Sequence, residues 1–221
     1  MCLRLLWVGG LLCLLGSPAA ARRPRPDRDV PRLQPVLRGV LYRAGTPTER
    51  GLEHLCRQGF RRVYSLYGAR TTARGAPNQQ MVRTGSDHRR CRLPDGSEGT
   101  LEWIAAPSSR GRSLPRLLRD VMDSIRDPSL GPILIHCWNG LHYAGMVSAL
   151  ILRQLCGASA QAAEAYWWAT TRHGDHYPSV PRRIRAFRPL PGFALSASER
   201  DRLCPDLSVF LAHQEVRAER P

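Results

Sequence analysis

Residues 132–155 read PILIHCWNGLHYAGMVSALILRQL, and this stretch decides the fold. Pro132 to His136 is an apolar run of strand length, of the kind buried on both faces of a sheet. Cys137 to Tyr143 contains the turn formers Asn139 and Gly140 and reads as a loop. Ala144 to Leu155 then reads as a helix ended by Gly157. A buried strand that delivers Cys137 beneath a helix N-terminus has chemical consequences. Backbone N–H groups converge there and the helix dipole adds partial positive charge, so the turn is an anion cradle and the setting favours a thiolate nucleophile.

The flanking sequence supplies the rest of a sheet. Upstream, Val36 to Arg43 alternates as a strand. Thr46 as cap, Pro47 at the first helical position and Glu49 three residues after the cap predict a helix from Pro47 to Gln58, stopped at Gly59. Phe60 to Leu66 reads as a second strand and Gly68 to Glu98, polar and without a period, as a long loop tied down by Cys91. Thr100 to Ala106 is a third strand. Ser113 caps a helix to Arg126 whose Leu114, Leu117, Leu118, Val121, Met122 and Ile125 share one face. Further helices are predicted near Ser159 to Thr170, Pro181 to Phe187, Ser196 to Cys204 and Leu207 to Arg217. Strands separated by helices give an α/β domain with a central, mostly parallel sheet flanked by helices.

Met1 to Ala21 has a basic start at Arg4, an apolar stretch from Leu5 to Leu15 and a small-residue end, the pattern of a secretory signal peptide. The apolar run is shorter than the ~20 residues of a bilayer-spanning helix, so no membrane anchor is expected after cleavage. Residues 22–32, RRPRPDRDVPR, read as a flexible Pro- and Arg-rich leader, and residues 33–221 as a single domain with a helical C-terminal part. The expectation is an exported protein, periplasmic or secreted.

The formal charge is +15, yet it comes from 33 arginines and no lysine, spread through every segment. No clustered basic stripe or interleaved strand aromatics accompany it, so nucleic acid is not an expected partner. Attraction to anionic substrates remains physically reasonable. Cleavage of the signal segment leaves Cys56, Cys91, Cys137, Cys156 and Cys204. That count is odd, and in an oxidising compartment one thiol stays unpaired. Four cysteines allow three connectivities. Element proximity alone suggests Cys56 with Cys91 and Cys156 with Cys204, leaving Cys137 free.

The stretch ILIHCWNGLHYAGMVSALILR resembles the signature of protein-tyrosine and dual-specificity phosphatases, His-Cys-x-x-Gly-x-x-Arg-Ser/Thr-Gly, with His136, Cys137, Gly140 and Gly145 in place. LYRAGTPTERGLEHLCRQGFRRVYSL, residues 41–66, resembles the opening strand–helix–strand of the bacterial dual-specificity-like branch. The resemblance implies the cysteine-phosphatase fold from about Val36 through Leu155. It also implies a loop of Trp138, Asn139, Gly140, Leu141, His142 and Tyr143 around the anion, supported by His136 and Gly145, with Cys137 as nucleophile. Two parts of the family pattern are missing. Tyr143 stands where the family has its phosphate-gripping arginine, and the residues after the third strand, Ala105 to Arg110, lack the general-acid aspartate. Loss of a preorganised donor costs about 10²–10³ in rate, and loss of a positioned acid about 10²–10⁴.

Candidate substitutes are His142 as donor or acid, Arg110 or Arg112 as a cation, and Asp87, Asp95 or Glu98 as a carboxylate. Each also has a plain reading as a solvated surface group. Arg172-His173-Gly174-Asp175-His176 invites a metal reading, but its spacing matches no recognised ligand set, and a polar inter-helix loop is the simpler one. No metal or cofactor is expected. Tyr166-Trp167-Trp168 reads as core or as an aromatic wall beside the loop. Two functions follow. One is an enzyme using the Cys137 thiolate on a phosphorylated or other anionic substrate, with weak or altered phosphatase character. The other is a pseudophosphatase that binds such a ligand without turnover. A free thiol in an oxidising compartment is prone to oxidation, which favours the first. The sequence leaves substrate identity and oligomeric state open.

Overall fold

The computed structural model describes residues 26–66, 86–93, 95–106, 113–171 and 177–211. The expected signal segment, Arg110, Arg112, the side chain of Asp87 and the 172–176 cluster lie outside the described residues. One sheet has the order β1-β2-β6-β3-β5-β4, with β1 (Gln34–Leu37), β2 (Leu41–Ala44), β3 (Arg62–Ser65), β4 (Ser86–Arg92), β5 (Glu98–Ala105) and β6 (Ile133–His136). The inner strands β2, β6, β3 and β5 are parallel. The edge strands β1 and β4 pair antiparallel to them. The helices are α1 (Pro26–Asp29), α2 (Glu49–Arg57), α3 (Ser113–Arg126), α4 (His142–Leu155), α5 (Ala160–Thr170), α6 (Ser179–Ala186) and α7 (Ala197–Leu203), and residues 207–211 are also helical.

Two hydrophobic cores sandwich the sheet. On one face α2 packs Leu52 and Leu55 with Val63, Trp103 and Leu134. On the other, Leu117 and Leu118 of α3, Leu152 of α4 and Trp167 of α5 pack with Ile133 and Ile135. Alternate residues of β6 thus enter opposite cores, and all of β6 is buried. That is why its sequence is an unbroken apolar run. Among the described residues, no helix is long and apolar enough to cross a membrane.

The structure corrects four local expectations. The run from Val36 to Arg43 is a hairpin, β1 to β2, turning through Gly39 at φ 72°. The α2 N-cap is Thr48, whose hydroxyl accepts from the Gly51 amide, rather than Thr46. Within the expected 68–98 loop lies β4. An edge strand pairs on one side only, so its sequence, SDHRRCR, needs no apolar run. Part of the expected leader is also built into the fold: Asp29 and Val30 are buried. The Asp29 carboxylate accepts from the Thr48 hydroxyl at 2.8 Å and its carbonyl from the Thr48 amide.

Disulfides Cys56–Cys91 and Cys156–Cys204 join α2 to β4 and the end of α4 to the end of α7. Among the described residues Cys137 is the free cysteine, and it is buried.

Candidate active site around Cys137

Parallel pairing of β6 between β2 and β3 brings the ends of these strands level, with Ala44 and Ser65 each in register with His136. Cys137 follows at that edge. Its loop is held by its carbonyls, every one of which from His136 through His142 has a donor. His136 accepts from the Leu66 amide at 2.8 Å and Trp138 from the Thr46 amide at 3.1 Å. Cys137 accepts from the Thr46 hydroxyl at 3.3 Å, and Asn139 from the Arg32 guanidinium at 3.0 Å. Gly140 accepts from Arg43 at 3.4 Å, Leu141 from the Gly145 amide at 2.8 Å, and His142 from the Trp167 indole at 3.1 Å.

A peptide whose carbonyl is tied to one side turns its N–H to the other. The amides of Asn139, Gly140, Leu141, Tyr143 and Ala144 accordingly find no acceptor among the described residues. They belong to a tight turn and the first turn of α4, where N–H groups lack intrahelical partners. The Leu141 N-cap has no side-chain cap hydrogen bond either. The result is a run of donors with the dipole of a fourteen-residue helix behind it.

Two glycines permit this geometry. Gly140 has φ 73°, and a Cβ there would stand 2.3 Å from the Gly45 nitrogen. Backbone rather than a flexible side chain blocks it. A Cβ at Gly145 would meet Trp167, Arg43 and Thr170 at 3.1–3.4 Å, so the first turn of α4 sits close against α5.

α4 starts at His142, two residues earlier than the sequence predicts, which puts His142 and Tyr143 in its first turn. The His142 ring stacks on Tyr177, with centroids 3.8 Å apart, and Tyr143 meets the same ring edge-on at 6.3 Å. Both side chains are thus engaged with Tyr177, at the entry to α6. Trp138 is exposed and Asn139 lies at the surface beside it. His136 is buried and its ring lies 4.7 Å from that of Trp103. Burial drives its pKa down from 6.5 to about 3, against an opposing backbone interaction with Cys137, so His136 is a neutral support under the loop.

Two of the carboxylates named from sequence, Asp95 and Glu98, are not assembled with Cys137. Asp95 accepts from Ser97 in the β4–β5 turn, and Glu98 pairs with Arg90. Both lie near the start of β5, and Cys137 is level with its end, roughly 20 Å away by strand rise. The supports that sequence reading missed are Arg32, Arg43 and Thr46. Thr46 was assigned to a helix cap, and nothing local marks which arginine turns inward. Trp167 reads from sequence as core or as an aromatic wall beside the loop; its hydrogen bond to the His142 carbonyl is visible only in the structure.

No family model matches the chain, and no curated protein matches it. Solved structures with similar folds include P. aeruginosa TpbA in complex with pTyr, at 18% identity and TM-score 0.45, covering 90% of this chain and 98% of that one. Tk-PTP in its active form is 18% identical at TM-score 0.39, over 83% and 97% of the two chains. The human tyrosine phosphatase-like serine/threonine/tyrosine-interacting protein is 15% identical at TM-score 0.38, over 82% and 96%. Likeness at these scores carries no assignment; the strand order and the helices on both faces make the α/β domain with a central, mostly parallel sheet expected from the sequence.

Proposed function

We propose that this α/β domain has the cysteine-phosphatase fold and belongs to an exported protein that binds the phosphoryl or similar oxyanion group of its substrate at residues 138–143 and attacks it with the Cys137 thiolate. The observation that supports this is the one-sided bonding of the loop. Each carbonyl is tied back, and a succession of amides is left without an acceptor among the described residues, beside the unpaired thiol. Such donors stabilise negative charge without reorganising at the moment of reaction. Attack forms a thiophosphoryl bond as the substrate oxygen leaves, and water then hydrolyses that intermediate to inorganic phosphate and free thiol.

Turnover is proposed to be weak. Tyr143 offers at best one neutral hydrogen bond where an arginine fork offers two charge-assisted ones. The two disulfides fit an oxidising compartment. A second reading, a binder of phosphorylated ligands without turnover, is favoured by the engagement of both His142 and Tyr143 with Tyr177, which ties the two rings of the loop to the entry of α6.

The test is alkylation of Cys137 by iodoacetamide with and without tungstate, alongside turnover of an aryl phosphate by the native protein and by Cys137→Ser. Tungstate protection plus slow turnover abolished in Cys137→Ser is expected. Protection without turnover selects the binder. Alkylation at the same rate with and without tungstate overturns both.

A further inference from the structure

Arg43 is the most deeply buried arginine at the site, 2% exposed. Its side chain leaves β2 on the face opposite Tyr42, which packs on Phe60, and runs beneath the first turn of α4. One terminal nitrogen donates to the Gly140 carbonyl at 3.4 Å and the other to Gln34 Oε1 at 2.7 Å. The Tyr166 ring lies 5.8 Å from the guanidinium carbon, and Nε has no partner. Every acceptor is neutral. Arg62, Arg89, Arg116 and Arg185 are all more exposed, yet each faces a carboxylate; Arg43 faces none among the described residues.

A buried charge without a counter-charge is expensive. A helix C-terminus explains another such case: Arg153 donates to the carbonyls of Ile184, Arg185 and Phe187 at the end of α6, where the dipole favours a cation. Arg43 sits at the opposite kind of end. The α4 N-terminus is itself positive, so two positive poles lie together with no anion between them among the described residues.

We infer that Arg43 is the buried cation of the anion site, acting through the Gly140 backbone from beneath the loop, and that the bound oxyanion is its missing counter-charge. This rests on the oxyanion reading above and names the group that stands in for the charge absent at Tyr143. Arg43 is a positioning residue: it fixes the Gly140 carbonyl, and so the direction of the neighbouring amides, and its charge attracts the anion without touching it.

The experiment is calorimetric titration of the full chain with tungstate, and the rise in Tm that tungstate produces, for the native protein, Arg43→Met, Arg43→Gln and Arg43→Lys. Native binding is expected to weaken by on the order of tenfold in Arg43→Met and Arg43→Gln, the scale of a unit charge acting through a layer of backbone at an effective dielectric of about 20. Arg43→Lys should recover part of the loss. Without tungstate, the Met variant should keep its Tm or gain, since removing an uncompensated buried charge relieves its desolvation. A purely structural Arg43 predicts the reverse pattern, a lower Tm with unchanged affinity, and that result overturns the inference. Arg43→Gln retains a donor for Gly140, so it decides the matter if the Met variant fails to fold; native-like affinity there also overturns the inference. Absence of tungstate binding by the native protein overturns the oxyanion reading itself, a distinguishable failure.

Discussion

The Thr46 hydroxyl donates to the carbonyl of Cys137 at 3.3 Å, across 91 residues of sequence, while the Thr46 amide donates to the adjacent carbonyl of Trp138. One residue from the end of β2 therefore clamps the two peptides that aim the start of the cradle. Thr46→Val keeps the shape and the amide bond but removes the hydroxyl from a site 2% exposed. The cost expected is about 1–3 kcal/mol, from leaving a buried carbonyl short of a donor. Chemical denaturation checks the stability, and tungstate protection of Cys137 should weaken in parallel. Full native protection in a destabilised variant would show that the clamp is structural only.

Tyr143→Arg restores the fork that the phosphatase signature carries at this helical position. Turnover of an aryl phosphate is expected to rise on the order of 10²-fold, since a preorganised charge-stabilising donor is worth about that much. The rise must vanish in the double variant with Cys137→Ser. An increase that survives in the double variant would place the hydrolysis elsewhere.

His136 sets an acid limit on stability. Its pKa is about 3 in the fold, because burial disfavours the imidazolium, against 6.5 when unburied. The unfolded chain thus binds more protons between these values, and stability rises with pH there. The contribution is fully present above about pH 6.5, is lost progressively as pH falls toward 3, and changes no further below that. Urea denaturation from pH 7 to pH 5 should show a steeper loss for the native protein than for His136→Asn. Asp95, Asp127, Glu199 and Asp206, held below the ordinary carboxylate values of 3.8–4.5 chiefly by hydrogen bonds from neighbouring serines, titrate below this window. Equal slopes would contradict a neutral, buried His136.

The disulfides close loops with sequence separations of 35 and 48 residues. By chain entropy each is worth about 4 kcal/mol. Cys56→Ser with Cys91→Ser frees β4 at the sheet edge, far from Cys137. It should lower Tm while sparing tungstate affinity at temperatures where the fold persists. Cys156→Ser with Cys204→Ser releases α7 from the end of α4, and a comparable loss in Tm is expected. A disulfide-free protein with native Tm would refute both pairings.

Much of this was legible in residues close together in the chain. The apolar run 132–136 reads as a doubly buried strand, and β6 within it is one. The period of Leu117, Leu118, Val121, Met122 and Ile125 gives α3 within its observed bounds. Failures arose where local sequence permits two answers. Thr46-Pro47 and Thr48-Glu49 both make acceptable caps, and packing of Asp29 against Thr48 selects the second. SDHRRCR lacks any apolar signal because β4 pairs on one side and gains its anchor from the Cys56–Cys91 bond.

The sequence by itself determined the strand, the Cys137 turn and the helix that follows, together with the tyrosine where an arginine is expected, because these are properties of consecutive residues. It also determined that one thiol would remain unpaired, which is a matter of counting. Only the tertiary structure decided which groups hold the turn. Arg32, Arg43 and Thr46 reach it across 107, 97 and 91 residues, and in a chain with 33 arginines no local pattern distinguishes one that is solvated from one that is enclosed. That distinction comes from the depth at which β2 lies beneath α4, and it places the buried charge on Arg43.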